Sequence, residues 1–243
     1  MIDHRRIHVV VPAKDEARFI AGVVSTMPSF VDEVVVIDDG SADDTGPRAR
    51  AAGARVIRHA ASRGVGAAIV AGYRDALARG AEVVAVMAGD GQMDPAELAD
   101  VVAPVVAGRA GYVKGHRLHH PEVWRRMPWI RLLGNATLGA LTSLAIGVRI
   151  GDAQCGFTAA SREALEALDL DGLWPGYGYP NDLLGALTRA GVTVAEVPVS
   201  PIYAGESSGL RPRHFAVMLW LIGRAGYRRA QLLRRKKAAN AAR

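Results

Sequence analysis

Short runs of apolar residues recur along the first part of the chain and alternate with longer segments of mixed polarity. The runs lie at residues 7–12, 34–37 and 83–87, with a shorter one at 55–57, and they are rich in valine and isoleucine. Such runs are typical of strands buried on both faces of a parallel sheet. Because strand-like and helix-like segments alternate four times, the pattern predicts an α/β fold with a mostly parallel central sheet flanked by helices.

The strand predicted at 83–87 is followed directly by a polar turn. Asp90 and Gln92 lie between glycines there, and Asp94 and Pro95 then form the start of a helix. Open α/β sheets bind ligands at the carboxyl ends of their strands. A carboxylate and an amide oxygen two residues apart suit a hard divalent cation that carries a phosphate. A capped turn with solvated side chains fits the same pattern, so the residues alone leave both interpretations open.

Two adjacent carboxylates, Asp38 and Asp39, follow the second strand in the same way. Paired like charges at a partly buried strand end are uncommon as solubility groups, and they suit hydrogen bonding to a ribose or a base edge. The first strand is not followed by G-x-G-x-x-G, and no G-x-x-x-x-G-K-[ST] is present. A dinucleotide-dependent enzyme and a P-loop NTPase are therefore disfavoured.

Composition fits one large domain of 243 residues, half of them hydrophobic. The only cysteine is Cys155, which excludes an internal disulfide and a cysteine-rich zinc site and indicates a reducing cytoplasm. The first six residues are polar and lead directly into a strand, which is not the pattern of a signal peptide.

The net charge of +6 is unevenly distributed along the chain. Ten of the 30 Lys and Arg residues follow Glu206, and no Asp or Glu accompanies them. With the apolar run at 215–222, this predicts a basic amphipathic helix and tail over 211–243 that lies on an anionic membrane surface. Nucleic acid is disfavoured as a partner, because the interleaved residues are mostly aliphatic. The alternative is a helix that packs on its own domain and has a solvated end.

A second segment, 129–148, is nearly uncharged and close to the length of a membrane span. Arg131, Asn135 and several Gly and Thr residues interrupt it. We therefore expect a buried or interfacial helix here rather than a span. His116, His119 and His120, which precede this segment, are expected at the surface.

Nine short motifs, in order along residues 7–210, resemble the family 2 glycosyltransferases of GT-A fold. Within that family they are most similar to the branch that contains dolichol-phosphate mannosyltransferase and bacterial polyprenyl-phosphate sugar transferases. The motifs are VVPAKDE (10–16), VIDDGSADDT (36–45), RGVGAA (63–68), GDGQMDP (89–95), VKGHR (113–117), GDAQCGFT (151–158), YPNDL (179–183), EVPV (196–199) and YAGESS (203–208). The resemblance implies a GT-A domain over 1–210, followed by the basic helix and tail over 211–243.

The resemblance also implies a reaction and a set of site residues. The reaction is transfer of a sugar, with inversion, from a UDP- or GDP-sugar to an acceptor at the cytoplasmic membrane surface, most simply a polyprenyl phosphate. Donor-binding residues would be Pro12, Ala13, Asp15 and Glu16 around the base, Asp39 on the base or ribose, and Gly64 and Gly66 near the diphosphate. Mg²⁺ or Mn²⁺ would be held by Asp90 and Gln92, and the acceptor phosphate by Arg117 and Arg131.

The chain departs from the family at Ala88, where the usual Asp-x-Asp motif has its first carboxylate, and at Asp15, where Asn is more usual. The metal site would then carry less charge. Asp182 is the candidate general base, although a phosphate acceptor is already ionised and needs none, so Asp182 would only position other groups. Two alternatives stay open: a GT-A transferase for a soluble acceptor, and a membrane-attached binding protein whose metal site has decayed.

Overall fold

A single seven-stranded sheet forms the centre of the computed structural model, which describes residues 2–202 and 212–241. The strands are β1 (Ile7–Ala13), β2 (Glu33–Asp38), β3 (Arg55–Arg58), β4 (Val83–Val86), β5 (Tyr112–His116), β6 (Thr158–Ser161) and β7 (Val194–Pro198). Their order is β3-β2-β1-β4-β6-β5-β7, and β6 alone runs antiparallel to its two neighbours. The predicted fold class is confirmed.

Helices cover both faces of this sheet. Within the described ranges they are α1 (Ile20–Ser25), α2 (Thr45–Ala51), α3 (Val65–Ala78), α4 (Leu98–Val106), α5 (Val123–Arg126), α6 (Trp129–Ile146), α7 (Arg162–Glu166), α8 (Tyr179–Arg189) and α9 (Pro212–Ala241). The helix start predicted at Asp94 is confirmed, since its side chain accepts a hydrogen bond from the Ala96 N–H at 2.9 Å. Pro95–Glu97 forms a 3₁₀ turn that leads into α4.

The apolar core has two parts, one on each face of the sheet. Val9 and Val11 of β1 pack with α1, α2 and α4, whereas Val10, between them, packs with α3 and α8 on the opposite face. This alternation follows from the two-residue period of a strand. It explains why the first strands show uninterrupted apolar runs: both of their faces are buried.

Between β1 and α1, residues 15–17 form a loop. Asp15 has φ +57°, a left-handed conformation that does not continue into a helix. The N–H groups of Asp15 and Glu16 donate to the hydroxyls of Ser41 and Thr45, at 3.0 and 2.8 Å. The loops after β1 and β2 are therefore joined to each other.

The C-terminal helix α9 packs on α6 and α8 through its first half. Met218, Leu221, Ile222 and Ala225 are buried there, whereas residues 233–240 are exposed. The first half of this helix therefore packs on its own domain, and the second half is a solvated basic end. No helix in the described residues has the length and hydrophobicity needed to cross a bilayer. The division at residue 210 stays a prediction.

The strand directions bring the polar segments of the chain to one edge of the sheet. The carboxyl ends of β1, β2, β4, β5 and β7 lie at this edge, together with the amino end of β6. Asp15, Asp39, Asp90, Arg117 and Asp152 follow or precede these strand ends. The fold therefore gathers most of the predicted site residues on one side of the molecule.

Candidate active site

Asp90, Gln92 and Arg117 line one small recess, of about 40 Å³, at this edge. Asp90 Oδ1 accepts a hydrogen bond from the Gln92 N–H at 3.0 Å, which closes the turn around Gly91. Gly91 has φ +74°, a conformation that favours glycine. The turn thus places a carboxylate and an amide in the same recess as the guanidinium of Arg117, the residue that follows β5. The other residues that line the recess are Met93, Cys155, Gly156, Phe157, Val199, Ser200 and Ile202.

Position 88, where the family's first Asp is replaced, is the half-buried residue Ala88 at the start of this turn. Its N–H lies 3.2 Å from the Met93 sulfur. Within residues 2–202 and 212–241, no group of three or more His, Cys, Asp or Glu side chains is placed to hold a metal ion. A cation held by Asp90 and Gln92 would therefore take its remaining oxygens from a ligand or from water, as Mg²⁺ commonly does at phosphate sites.

Arg117 is fixed by a two-pronged ion pair with Asp152. Its Nε and Nη2 donate to the two carboxylate oxygens at 2.7 and 3.0 Å, and Asp152 is fully buried. Burial alone would raise the pKa of Asp152, but the charge and hydrogen bonds of Arg117, with the charge of Lys114, hold that pKa below its ordinary value. The carboxylate stays ionised and the guanidinium stays oriented, with its side chain 20% exposed.

The segment that carries Asp152 is held in place by two charged residues that the sequence reasoning missed, half-buried Glu196 and buried Lys114. Glu196 of β7 accepts the N–H groups of Gly151 and Asp152 at 2.8 and 3.0 Å. Lys114 of β5 is fully buried, and its ammonium donates to the Cys155 carbonyl. Burial lowers the pKa of Lys114. The available signal was a charged residue within each of two family motifs, VKGHR and EVPV.

The prediction that His116 lies at the surface is wrong. This residue ends β5 and is buried, with its ring stacked on His119 at a centroid distance of 4.1 Å. Gly151 packs directly against the His116 ring, where a side chain at position 151 would collide with it. Burial lowers the pKa of His116. His119 is exposed and His120 half-buried.

Asp39 is buried at the end of β2 and accepts hydrogen bonds from the segment that precedes α3. Its Oδ1 accepts from His59 Nδ1 and Arg63 N, and its Oδ2 from Ser62 Oγ and Gly64 N, at 2.6 to 2.9 Å. Burial alone would raise the pKa of Asp39, but these hydrogen bonds hold it below its ordinary value. Each carboxylate oxygen can accept about two hydrogen bonds, and both oxygens of Asp39 accept that number. Asp39 therefore shapes the loop at 59–64, and its contact with a nucleoside stays a prediction.

Gly64 and Gly66, at the start of α3, lie against the segment 174–176. A Cβ on Gly64 would stand 2.5 Å from the Pro175 carbonyl oxygen, and one on Gly66 would stand 2.3 Å from that of Trp174. The Ala67 N–H donates to the Pro175 oxygen at 3.0 Å. Only glycine fits this close backbone approach, so the two loops form one floor beside the strand ends.

The remaining predicted residues lie outside the recess. Pro12 and Ala13 end β1, and Asp15 and Glu16 follow in the loop joined to the one after β2. Arg131 lies in the first turn of α6. Asp182, in the first turn of α8, is 2% exposed; it accepts the Trp174 N–H at 2.9 Å and pairs with Arg224 of α9 at 2.7 Å. The motif at 203–208 lies outside the described residues.

Known proteins are similar to this chain in sequence and in fold. The model for the family described as "Glycosyl transferase family 2" matches residues 8–169. The chain is 27% identical over 219 residues to the UDP-N-acetylglucosamine–dolichyl-phosphate N-acetylglucosaminyltransferase of Methanococcus voltae, covering 83% of this chain and 87% of that protein. It is 30% identical over 231 residues to the polyprenol monophosphomannose synthase of Mycolicibacterium smegmatis, covering 89% and 87%.

Among solved structures, the chain resembles glucosyl-3-phosphoglycerate synthase of Mycobacterium tuberculosis in complex with Mn²⁺, UDP and glucosyl-3-phosphoglycerate. The TM-score is 0.68 at 25% identity, over 91% of this chain and 78% of that one. The predicted GT-A fold and the predicted glycosyltransferase class are confirmed by these matches. The chain belongs to glycosyl transferase family 2.

Proposed function

We propose that this enzyme transfers a sugar, with inversion, from a nucleotide-sugar to a polyprenyl phosphate at a membrane surface. The observation that carries the proposal is the recess that Asp90 and Gln92 line together with Arg117, whose guanidinium is fixed by Asp152. The side chains of Asp90 and Gln92 suit a metal-bound diphosphate, and the guanidinium of Arg117 suits a phosphate anion. Both kinds of binding group therefore line the same recess. The printed names of the Methanococcus and Mycolicibacterium relatives support the choice of a lipid phosphate acceptor.

On the donor side, Asp90 and Gln92 fit Mg²⁺ or Mn²⁺ only together with the donor's own oxygens, because the described residues contain no complete metal cage. The bound cation would supply positive charge that stabilises the departing nucleoside diphosphate. Asp39 would keep the loop at 59–64 in place beneath the nucleoside. Pro12, Ala13, Asp15 and Glu16 would line the base from the ends of β1 and its loop.

On the acceptor side, Arg117 would hold one phosphate oxygen for attack on the anomeric carbon of the sugar. A bond forms from that oxygen to the anomeric carbon while the bond to the diphosphate breaks, and no proton has to be removed. Asp182 would therefore position the segment at 174–176 through the Trp174 N–H instead of acting as a base. Arg131 would contribute a second positive charge from α6.

Restoring the family's carboxylate should strengthen the metal site. We expect Ala88→Asp to tighten Mn²⁺-dependent UDP binding roughly tenfold, because attraction to the cation outweighs repulsion between residues 88 and 90. Asp90→Asn should remove the metal-dependent part of UDP binding and keep the rest. Thermal shift with a panel of nucleotide-sugars, with and without Mn²⁺, measures both, since ligand binding raises the melting temperature.

The matched control for Ala88→Asp is Ala99→Asp, which adds the same charge at an exposed position of α4. An unchanged Mn²⁺ titration in Ala88→Asp would place residue 88 away from the metal. If the natural chain shows neither binding nor transfer and Ala88→Asp restores both, the alternative of a decayed metal site is correct.

A membrane-facing surface is supported by exposed aromatic and aliphatic side chains on α5 and α6. Trp124, Trp129, Ile130 and Leu133 are 78, 72, 66 and 62% exposed. Tryptophan favours the boundary between water and lipid. The basic end of α9, over residues 234–237, adds positive charge that an anionic leaflet attracts.

Charge removal at the end of α9 tests this surface without disturbing the core. Truncation before α9 would also remove buried Met218 and Leu221, so substitutions are the cleaner change. We expect Arg235→Gln/Lys236→Gln to weaken sedimentation with anionic vesicles by up to about 2 kcal/mol at low salt. Arg50→Gln/Arg109→Gln removes the same charge from exposed sites elsewhere and should have a smaller effect. Equal losses in the two pairs would contradict a specific role for α9.

A soluble acceptor is the second candidate function, and the likeness to glucosyl-3-phosphoglycerate synthase favours it. Arg117 would bind the phosphate of a small phosphorylated acid equally well. Transfer assays with a short-chain polyprenyl phosphate and with 3-phosphoglycerate, each paired with every donor that raises the melting temperature, separate the two. Turnover with the soluble acid alone would replace the lipid proposal.

A further inference from the structure

A second cavity, of about 340 Å³, lies between α8, α9 and the segment at 167–173. It shares no lining residue with the recess described above. Its walls include Asp169, Asp182, Arg189 and Arg228. The volume is at the lower end of the range for small-molecule pockets, about 300–1,000 Å³.

The charged side chains that line this cavity are two arginines and two aspartates, and a third arginine, Arg224, pairs with one of those aspartates. Arg189 and Arg228 line it, and Arg224 reaches the Asp182 side of it through their ion pair. Arg189 Nη1 and Arg224 Nε are buried and have no hydrogen-bond partner among the described residues. Burial, together with the charges of Arg228 and Arg224, lowers the pKa of Arg189. Neighbouring like charges are unfavourable, and an anion beside Arg189 and Arg228 would offset their repulsion.

We propose that this cavity binds a small molecule carrying a phosphate group, held by Arg189 and Arg228. The planar guanidinium fork matches phosphate oxygens in pairs, which suits this ligand class. The cavity is larger than a bare phosphate ion requires, so a small phosphorylated compound fits it better. The phosphate could belong to a soluble metabolite or to a lipid headgroup, and the two sources share the same recognition chemistry.

The site is connected to the predicted donor site through Asp182, and this connection rests on the proposed function. Asp182 borders the cavity and accepts the Trp174 N–H. Pro175, the next residue, accepts the Ala67 N–H at the start of α3, beside Gly64. An anion held by Arg189 and Arg228 would repel the Asp182 carboxylate, which borders the same cavity, and would therefore alter the contacts of Asp182 and move the floor near the diphosphate. Such coupling between sites typically changes affinity by about 5- to 150-fold.

Calorimetric titration of the full chain with inorganic phosphate, at constant ionic strength and without nucleotide, tests the site by itself. We expect Arg228→Gln to weaken phosphate binding at least tenfold, and Arg228→Lys, which keeps the charge but not the fork, to weaken it less. Arg228 is exposed, so its replacement leaves the core intact. Arg189→Gln should match Arg228→Gln. Arg109→Gln, an exposed arginine after α4, is the control and should bind phosphate like the natural chain.

Equal phosphate affinity in the natural chain, Arg228→Gln and Arg109→Gln would overturn the proposal. Vesicles containing phosphatidate, compared with equally charged phosphatidylserine vesicles, test the lipid source. Phosphatidate-selective binding that requires Arg228, without binding of free phosphate, would assign the site to a headgroup. A UDP titration repeated at saturating phosphate tests the coupling between the two sites. An unchanged UDP affinity would contradict the coupling but not the phosphate site itself.

Discussion

Replacing Arg117 with methionine should destabilise the fold by about 3–5 kcal/mol and abolish sugar transfer, because it leaves a fully buried carboxylate without its partner. Asp152 is 0% exposed and receives both prongs of the Arg117 guanidinium. Urea unfolding measures the first effect and a transfer assay the second. Arg117→Lys keeps the charge but loses the paired geometry, so it should lie between the natural chain and Arg117→Met in both measurements.

A double variant separates the structural role of Arg117 from its role in the reaction. Arg117→Met/Asp152→Asn removes both charges and keeps an oxygen acceptor for the backbone, so most of the lost stability should return. Transfer should not return, because the acceptor phosphate still lacks its guanidinium. If the double variant regained activity along with stability, Arg117 would be a structural residue only.

The contribution of the Arg117–Asp152 ion pair to the free energy of unfolding depends on pH, and the pKa of Asp152 fixes the direction of that dependence. Since the pKa of Asp152 is lower in the folded chain than in the unfolded one, its contribution to stability is complete above the unfolded value of about 3.9. That contribution is lost as the pH falls through the lower folded value. The difference in unfolding free energy between the natural chain and Asp152→Asn should therefore be constant from pH 6 to 8 and shrink in strong acid. Asp39, whose pKa is also lowered, should add to the same acid sensitivity.

Substituting Gly64 or Gly66 with alanine should cost about 1–3 kcal/mol or more and weaken UDP binding, because the new methyl group would collide with backbone that has no room to move. The Cβ would stand 2.5 Å from the Pro175 oxygen in the first case and 2.3 Å from the Trp174 oxygen in the second. A surface side chain could rotate away from such a contact. A backbone carbonyl is fixed in its peptide plane, and that of Pro175 also accepts the Ala67 N–H, so neither can move aside in this way. Thermal unfolding and UDP titration measure the two effects.

Two other glycines provide matched controls for this pair. Gly53 has φ +101°, close to the +97° of Gly64, but no atom of the described residues lies within 4 Å of its Cβ position. Gly53→Ala therefore measures the strain of a positive φ without a collision, whereas Gly64→Ala adds the collision and any strain from its ψ of +157°. Gly134, within α6, also has open space, and Gly134→Ala should stabilise the chain by up to about 1 kcal/mol. Similar losses in Gly66→Ala and Gly134→Ala would refute the steric explanation.

Local pattern predicted the first four strands because each contains a run of Val and Ile; β1, β2 and β4 have buried residues on both faces, whereas β3 is a half-buried strand with an Arg at each end. It could not predict β6 (Thr158–Ser161), which has small residues and little apolar signal, or β7 (Val194–Pro198), where Glu196 interrupts the run. The turn with Asp90 and Gln92 was predictable for a related reason: strand, glycines and helix cap lie consecutively in sequence. The placement of both residues at the end of β4 agrees with that prediction.

The partners of the site residues could not be predicted, since they come from distant parts of the chain. Arg117 meets Asp152 across thirty-five residues, and Asp182 of α8 meets Arg224 of α9, which lies beyond β7 in the sequence. Nor does an amphipathic pattern say what a helix face contacts. The buried half of α9 and its exposed basic half share one continuous helix, and only the packing on α6 and α8 distinguishes them.

The position of β6 between β4 and β5 sets the order in which this protein can assemble as it is synthesised. β5 pairs only with β6 and β7, so it has no place in the sheet until Thr158–Ser161 has left the ribosome. Until then the nascent chain can complete β3-β2-β1-β4 alone, with the apolar edge of β4 unpaired. At about 5–20 residues per second, the roughly 70 residues that separate β4 from β6 expose that edge for on the order of 4 to 15 s. Chaperone dependence during translation should therefore be greatest in this interval, before the amino-terminal half acquires its antiparallel neighbour.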